Sequence, residues 1–481
     1  MSPFAKVGGL ADVAGSLPAA LRRLGHDVRT VMPLYSMIEG AAGTPRQSGK
    51  WRLDTVAKRL HVSMNGHWVE QATASFTESN GVPTYFIGHE RFFRDATSSD
   101  KIYASGIDKY LFFSVAVLEL PELLGWTPDV IQCNDWQTGF VSVLMRERFP
   151  GRFEDTAAVF TIHNLAYQGE FGTEILDALA LPRSLFVPEL LETWGAVNFL
   201  KAACVYSDQV NTVSPTYAKE IQTPEFGCKL EGLMKHLAAA GRLSGVLNGI
   251  DVEFFDPARD VYLPVHFSAD KPGGKEVCRD ALLKEVGMDP IPGAPVVGAV
   301  TRLSSQKGLD LLAQAAPELF RIPVQLVIQG LGDPAIVTQM RVLQNEYPQY
   351  IRFVDRFDED LAQRIYAGSD LFAMPSLFEP CGLGQMIAMR YGTIPVVRST
   401  GGLADTVIEG DNGFSFKDKS AEDLCAAFQR AAKTYRKSAD WTKLVQRAML
   451  TDHSWDRSAM EYVALYGRAL AARRGDLLKR A

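Results

Sequence analysis

Short runs of β-branched and apolar residues alternate with longer stretches of helical periodicity along this sequence, and this alternation constrains the fold more than any other feature. Each run ends in polar residues or glycine, as the strands of parallel sheets do where the chain turns toward a helix. The runs lie at 28–32, 129–133, 157–162, 209–213, 295–301, 324–329, 371–374 and 394–397. The pattern predicts an α/β fold built from βαβ units with parallel sheets.

The chain of 481 residues is too long for one hydrophobic core and suits about two to three domains. A turn dipeptide, Asn248-Gly249, follows a short strand pattern and marks the predicted domain join. A last helix, capped by Ser454, is expected to cross back to the N-terminal domain and to end in a basic tail at the surface, which contains Arg473 and Arg474. The predicted ranges are 1–246 for the N-terminal domain, 247–454 for the C-terminal domain and 455–481 for the last helix with its tail.

The composition excludes several classes of protein. Apolar residues make up 47% and charged residues 22%, which excludes a mainly disordered chain. A net charge of −6 argues against a dedicated nucleic-acid binder, because phosphate neutralisation needs a basic excess. The six cysteines are scattered without C-x-x-C pairs, which argues against zinc sites and disulfide frameworks. No apolar run of about 18 residues and no N-terminal apolar segment occur, so we expect a reducing cytoplasm and no membrane.

Two cations follow the strand pattern at 295–301. Ligands of open parallel sheets bind just beyond the carboxyl ends of the strands, and Arg302 and Lys307 lie there, before the helix pattern that begins at Leu309. Arginine and lysine in such a loop can clamp a diphosphate, with helix N–H groups sharing the anion. The alternative is that both are ordinary surface charges.

A carboxylate stands in a turn of small residues after the strand pattern at 371–374. Glu379 is followed by Pro380-Cys381-Gly382-Leu383-Gly384, which leads into a helix. The N–H groups of such a turn suit a phosphate or sugar hydroxyls, and Glu379 could accept hydrogen bonds from a sugar. Cys381 could instead be a nucleophile at a helix N-terminus, where the thiol pKa falls, or serve packing alone.

Two further polar groups end strands in the first half of the chain. His163 follows the run at 157–162, and Asp135 with Trp136 follows the run at 129–133. A histidine there is a catalyst or a satisfied structural residue. A carboxylate beside an aromatic ring suits sugar binding, but Asp135 could equally cap the following helix.

A glycine turn after the run at 324–329 matches the dinucleotide-binding pattern G-x-G-x-x-A, from Gly330 through Gly332 to Ala335, with Asp355 where a ribose-binding acid would stand. A nicotinamide-dependent dehydrogenase is therefore an alternative function. A tight strand-to-helix turn that needs glycine is the other interpretation.

Five residues of the first half recur in the second: Gly-Gly-Leu-Ala-Asp begins at Gly8 and again at Gly401. Chance repetition of common residues is one interpretation. Two glycine loops that face one cleft from opposite domains are the other.

Together these segments resemble the bacterial glycogen synthase and plant starch synthase family. The resemblance covers about residues 3 to 470, and its motifs occur in the family's order. They are Lys6-Val-Gly8-Gly9-Leu, His163-Asn164-Leu-Ala-Tyr-Gln-Gly169, Leu247-Asn248-Gly249-Ile-Asp251, Arg302-Leu-x-x-Gln-Lys307-Gly308, Phe378-Glu379-Pro-Cys381-Gly-Leu383 and Thr400-Gly401-Gly402-Leu-Ala-Asp-Thr406.

The resemblance implies a GT-B fold, with two Rossmann-like doubly wound parallel-sheet domains that face a deep cleft. It implies a retaining glucosyltransferase that moves glucose from ADP-glucose to the non-reducing end of an α-1,4-glucan such as glycogen or starch. No metal, cofactor, nucleic acid or membrane is implied. The expected location is the cytoplasm, or the plastid for a plant protein, although no transit peptide is recognised in the sequence.

The resemblance also implies residue roles. The predicted catalytic residues are Glu379 for the glucosyl hydroxyls, Arg302 and Lys307 for the diphosphate, and His163 and Asp135 for the glucosyl and acceptor side. The predicted substrate-binding residues are Lys6, Gly8, Gly9, Asp12, Asn164, Asn248, Phe357 against the adenine, Cys381, Gly382, Leu383 and Gly384.

The sequence departs from the family in three ways. Only five residues precede Lys6, so the first strand is expected to be missing and the chain to be a truncated or mis-started product. Ile387 stands where many GT-B transferases carry a second glutamate. Asn134 and Gly384 replace a frequent histidine and threonine. The missing first strand makes a glucan-binding protein with a degraded transferase site a second alternative, which the intact Lys6, Arg302, Lys307 and Glu379 oppose.

Overall fold

The structure is a computed structural model that describes residues 1–43, 51–66, 68–103 and 106–480. The chain forms two compact units. Unit 1 comprises Met1–Val213, Ala218–Val246 and Trp455–Ala481, and unit 2 comprises Ser214–Tyr217 and Leu247–Ser454.

Unit 1 contains thirteen of the described strands. They are β1 Thr30–Pro33, β2 Ala42–Gly43, β3 Trp51–Arg52, β4 Asp54–Ser63, β5 Val69–Ser79, β6 Val82–Gly88, β7 Val130–Asn134, β8 Ala157–Ile162, β9 Glu170–Phe171, β10 Glu192–Thr193, β11 Ala196–Asn198, β12 Gln209–Thr212 and β13 Leu243–Gly245. The helices before unit 2 are α1 Gly9–Arg23, α2 Ser36–Ala41, α3 Glu90–Phe93, α4 Asp108–Leu123, α5 Phe140–Glu147, α6 Glu174–Ala178, α7 Phe199–Tyr206, α8 Pro215–Glu220, which begins in the short segment assigned to unit 2, and α9 Glu231–Ala239.

The larger sheets of unit 1 have four strands each. One is parallel, in the order β13-β12-β8-β7, and every strand in it was predicted, the short β13 as the strand pattern before Asn248-Gly249. The other, in the order β1-β6-β5-β4, pairs β1 with β6 in parallel and the remaining strands antiparallel. β1 and β7 are therefore edge strands of their sheets, and the first strand found along the chain is β1.

Unit 2 is built on one six-stranded parallel sheet, in the order β16-β15-β14-β17-β18-β19. Its strands are β14 Val296–Val300, β15 Gln325–Gln329, β16 Ile351–Val354, β17 Leu371–Met374, β18 Ile394–Arg398 and β19 Phe414–Phe416. Its helices are α10 Gly274–Glu285, α11 Leu309–Leu319, α12 Pro334–Glu346, α13 Glu359–Gly368, α14 Gly384–Arg390, α15 Gly401–Thr406, α16 Ala421–Tyr435 and α17 Ser438–Leu450. The strand order reverses between β14 and β17, and this switch point is where open α/β sheets bind ligands.

The last helix, α18 Trp455–Arg480, belongs to unit 1. Its apolar face packs with α1 and β8 in one buried cluster that contains Leu17, Val159 and Tyr462. The prediction of a solvated basic tail is wrong for Arg473, which is 5% exposed and donates from Nε to the Glu154 carbonyl at 2.6 Å. The helix continues through these residues and buries this side chain on its inner face. Among the described residues, no helix has both the length and the apolar character to cross a membrane.

Candidate active site

Two loops of unit 2 lie side by side at the switch point of its sheet. One follows β14 and leads through residues 302–308 into α11, and the other follows β17 and leads into α14. Gln306 joins them, because its carbonyl accepts from the Leu377 N–H at 2.8 Å and its Nε2 donates to the Phe378 carbonyl at 3.1 Å. The loops that sequence analysis selected separately are thus held together by hydrogen bonds.

An ion pair connects the same loops. Lys307 Nζ lies 2.6 Å from Glu379 Oε2, and Ser376 Oγ donates to that oxygen at 3.1 Å. The two charged side chains are only 16% and 6% exposed, respectively. Little water reaches the pair, so each charge depends on the other for its stabilisation.

Gly308 permits the close approach of the two loops. It adopts a left-handed conformation with φ of 68°, and a Cβ at this position would lie 2.0 Å from the Pro375 carbonyl oxygen. Any other residue would strain the backbone and push the loops apart. The glycine after Lys307 therefore belongs to the geometry of the ion pair.

Arg302 stands at the start of the first loop. Its side chain is exposed, and it forms no ion pair with any residue that the structure describes. Arg302 thus differs from Lys307, whose charge is already paired. An exposed guanidinium at the carboxyl end of β14 is available to a ligand anion.

A third loop, in which no site residue was predicted, contacts the backbone of Glu379. The Gly402 N–H donates to the Glu379 carbonyl at 3.1 Å, and a Cβ on Gly401 would lie 1.9 Å from that oxygen. The repeated Gly-Gly-Leu-Ala-Asp segment was the signal for it. The segment's Asp405 accepts from Ser214 Oγ at 2.6 Å and from Thr216 Oγ1 at 2.6 Å, both assigned to unit 2.

The turn after Glu379 is built around buried groups. Cys381 is 4% exposed, and burial raises the pKa of its thiol to about 12. A protonated, buried thiol is a poor nucleophile, so packing explains Cys381 better than catalysis. Gln385 Nε2 donates to the Gly382 carbonyl at 2.9 Å and fixes the turn before α14, which begins at Gly384 after Leu383.

Asn248 and Phe357, the remaining predicted residues of unit 2, differ in exposure. Asn248 is buried beside Cys381, and its Oδ1 has no hydrogen-bond partner among the described residues. Phe357 is 65% exposed, so its ring is free to stack on a planar ligand. It stands just before Asp358, whose carboxylate caps α13 by accepting from the Leu361 N–H at 3.0 Å.

In unit 1, the ends of β7 and β8 bring His163 and Asp135 together. Asp135 Oδ1 accepts from the backbone N–H of His163 at 2.8 Å. Its carboxylate therefore fixes the backbone of His163 and does not cap the following helix, which was one of the two interpretations. His163 Nε2 donates to Asn134 Oδ1 at 3.0 Å, which leaves Nδ1 as an acceptor. Asp135 has a φ of 54°, unusual for a residue other than glycine and typical of functional sites.

Burial shifts both ionisable groups. It raises the pKa of Asp135, an effect that the nearby His163 opposes, and it lowers the pKa of His163, an effect that Asp135 opposes. The imidazole is therefore held in its neutral form at lower pH than usual.

The other predicted residues of unit 1 lie on two loops. Lys6 Nζ pairs with Asp12 Oδ1 at 2.8 Å, and Gly8 and Gly9 have open space around them where α1 begins. Asn164 Oδ1 accepts from the Ala166 N–H at 3.0 Å and shapes the loop after His163.

The dinucleotide-like turn has a packing explanation. A Cβ on Gly330 would lie 2.1 Å from the Thr301 carbonyl oxygen, and one on Gly332 would lie 2.1 Å from that of Leu303. Asp355, the supposed ribose ligand, pairs with Arg341. Only glycine lets this turn pack so closely against the loop that contains Arg302. This packing explains both glycines without a nicotinamide-binding site. Within the described ranges, no three His, Cys, Asp or Glu side chains converge as metal ligands would.

The amino-acid sequence is similar to known glycosyltransferases. The model of the starch synthase catalytic domain matches residues 1–236, and that of glycosyl transferases group 1 matches residues 289–447. The chain is 44% identical over 485 residues to a glycogen synthase of Desulforudis audaxviator, covering 97% of this chain and 94% of the relative. It is 43% identical over 484 residues to that of Thermotoga maritima, covering 98% and 97%.

Two solved structures are similar to this one. The catalytic domain of starch synthase IV from Arabidopsis thaliana, bound to ADP and acarbose, matches with a TM-score of 0.88 at 35% identity and covers 98% of both chains. Sucrose-phosphate synthase from Thermosynechococcus elongatus matches with a TM-score of 0.59 at 18% identity, covering 97% of this chain and 95% of its own. The second likeness concerns the fold alone.

Proposed function

This chain belongs to the glycogen synthase and starch synthase family of glycosyltransferases, and we propose that it transfers glucose from ADP-glucose to the non-reducing end of an α-1,4-glucan with retention of configuration. Unit 2 would bind the donor and unit 1 the acceptor. The observation that carries the proposal is the pairing of Lys307 with Glu379 at the switch point of the unit 2 sheet, with the exposed Arg302 on the same loop.

The two cations serve the departing diphosphate. Its negative charge grows as the glycosidic bond to phosphate breaks, so positive groups fixed at that position stabilise the transition state more than the ground state. Arg302 offers an exposed guanidinium, and Lys307 offers an ammonium that a diphosphate oxygen can share or take over from Glu379. The Glu379 carboxylate then accepts hydrogen bonds from the glucosyl hydroxyls.

The reaction requires no second carboxylate. The bond between the glucosyl C1 and the phosphate oxygen breaks, and a bond forms between C1 and the acceptor 4-hydroxyl oxygen on the same face of the sugar. The hydroxyl proton passes to the departing phosphate oxygen, which gains negative charge and hence basicity as it leaves. Retention follows because both bonds share one face.

We assign residues of unit 1 to contacts with the substrates, and His163 to the side of the glucan acceptor. The neutral imidazole of His163, oriented by Asn134, presents its Nδ1 as a hydrogen-bond acceptor for a sugar hydroxyl, while Asp135 fixes the backbone of this residue. Lys6 remains a predicted substrate-binding residue, and its partner in the structure is Asp12.

The choice of donor rests on two supports. Phe357 exposes a ring that can stack on a nucleotide base, and the similar starch synthase IV was solved with ADP. Stacking alone does not discriminate adenine from uracil, so the experiment must compare donors.

The test is the transfer of labelled glucose to glycogen from ADP-glucose, with UDP-glucose in parallel. We expect label in glycogen, and a higher kcat/KM with ADP-glucose. Glycogen binding without transfer from either donor would support a glucan-binding protein with a degraded site. A higher kcat/KM with UDP-glucose would overturn the donor assignment only.

A further inference from the structure

The turn of the β10–β11 hairpin in unit 1 contains a tryptophan whose large apolar side chain is exposed to solvent and whose backbone conformation disfavours bulky residues. Trp194 is 77% exposed and has a φ of 53°, followed by Gly195 with a φ of 85°. Two successive positive φ values define the tight turn that prefers Asn-Gly, and a bulky residue in its first position is a genuine outlier. Neither burial nor turn preference accounts for this indole.

The hairpin is held rigidly. Glu192 Oε1 accepts from the Gly195 N–H at 2.6 Å, and the buried Lys201 Nζ donates to the Glu192 carbonyl at 2.5 Å. Strand β11 pairs with β9, so that Asn198 lies opposite Glu170. The indole is therefore presented on a fixed support, which lowers the entropy lost when a ligand binds it.

The same support continues into the His163 loop. Asn198 Nδ2 donates to Gln168 Oε1 at 2.6 Å, and the Phe199 N–H donates to the Gly169 carbonyl at 2.9 Å. Trp194 lies in the turn of the hairpin, and the extended strand β11, Ala196–Asn198, leads from this turn to Asn198. The indole thus stands some distance from the loop to which the acceptor side was assigned.

We infer that Trp194 is a remote acceptor subsite, which stacks on a glucose residue of an α-glucan chain several residues away from the reacting end. The inference rests on the proposed function. An indole has an apolar face for sugar C–H groups and an N–H donor for hydroxyls. The other exposed residues between positions 186 and 197 are Pro188, Glu189 and Gly195. None of them has a large apolar side chain, which suits a polyhydroxylated chain better than the apolar centre of a protein interface.

The test compares acceptors of different length. Trp194→Asn removes the ring but suits the left-handed turn, so the hairpin should fold and the melting temperature should not fall. We expect its KM for glycogen to rise roughly tenfold, as loss of an anchoring aromatic does, while its KM for maltotriose stays within about twofold. Trp194→Tyr should keep most of the affinity. Phe254→Ala, which removes a 54% exposed ring of unit 2, is the matched control and should change neither value.

A second measurement separates this inference from the proposed function. Electrophoresis through gels that contain glycogen reports glucan binding without catalysis, and Trp194→Asn should be retarded less than the wild type and Phe254→Ala. Failure of the wild type to transfer glucose would defeat the proposed function, while the gel result would still decide the inference. Equal retardation of wild type and Trp194→Asn, or equal KM increases for glycogen and maltotriose, would overturn the inference.

Discussion

Lys307 Nζ lies 2.6 Å from Glu379 Oε2 across two loops that are 72 residues apart in sequence. The pair places a positive and a negative group at the carboxyl end of one sheet, and we propose that the diphosphate and the hydroxyls of a nucleotide sugar bind there. Because little water reaches the two side chains, each charge stabilises the other.

The pair should be detectable in the free energy of unfolding. Lys307→Met keeps the apolar stem but leaves the Glu379 carboxylate buried without its cation, and we expect a loss of about 3 kcal/mol. Glu379→Gln in the same chain should recover part of it, with a coupling energy of at least about 1 kcal/mol. Denaturant unfolding of the wild type, both single variants and the double variant measures this energy, and strictly additive effects would contradict the pairing.

Arg302 should affect ligand binding and not stability. Its guanidinium is exposed and unpaired among the described residues, so Arg302→Ala should leave the melting temperature unchanged. Loss of a charge-assisted hydrogen bond should weaken ADP binding by roughly tenfold or more, measured by calorimetry. Arg436→Ala, which removes another exposed arginine of unit 2, is the control. Equal ADP affinity of the two variants would argue against Arg302 as a diphosphate ligand.

Gly308 should tolerate no side chain. Gly308→Ala strains the backbone, which is left-handed here, and places a Cβ 2.0 Å from the Pro375 carbonyl oxygen. We therefore expect the free energy of unfolding to fall by more than about 2 kcal/mol and the activity to decrease. Gly241 has a similar φ of 67° but open space, so Gly241→Ala isolates the strain, at about 1 kcal/mol. The melting temperatures of Gly308→Ala and Gly241→Ala, measured by thermal unfolding, test this prediction. Equal melting shifts would show that the loops do not approach as described.

His163 should make stability depend on pH. Burial lowers its pKa in the folded state, while the unfolded chain has the usual value of about 6.5. Below about pH 6.5 the unfolded state therefore binds more protons, and the free energy of unfolding falls as the pH falls until the folded-state pKa is passed. The difference in this free energy between the wild type and His163→Gln should be constant above about pH 7 and decrease toward pH 5. A difference that stays constant throughout would contradict the shift.

Much of unit 2 could be predicted from the sequence. Its buried parallel strands read as continuous apolar runs, so β17 was predicted at Leu371–Met374 and β14 within one residue at each end. The GT-B fold class is confirmed by the structural match to starch synthase IV and by the parallel sheets. The rule that polar residues at strand ends bind ligands then indicated Lys307 and Glu379. Their contact could not be predicted, because it depends on β14 lying beside β17, and the local sequence pattern does not determine the order of strands in a sheet.

The antiparallel part of unit 1 was missed, although one signal was present. β5 and β6 are joined by Asn80-Gly81, both with positive φ, which is the strongest short-range hairpin pattern. Trp194 gave no such signal, because an exposed aromatic in a turn is visible only once the backbone angles are known. Arg473 was misjudged because a charged residue at a chain end is usually solvated.

The most direct test of the central claim is the rate of glucose transfer from ADP-glucose to glycogen by the wild type and by Lys307→Ala. The wild type should incorporate label, and kcat/KM of the variant should fall by about a hundredfold or more, because the cation stabilises charge that develops in the transition state. Unchanged turnover by Lys307→Ala would contradict the assignment of the diphosphate to this lysine.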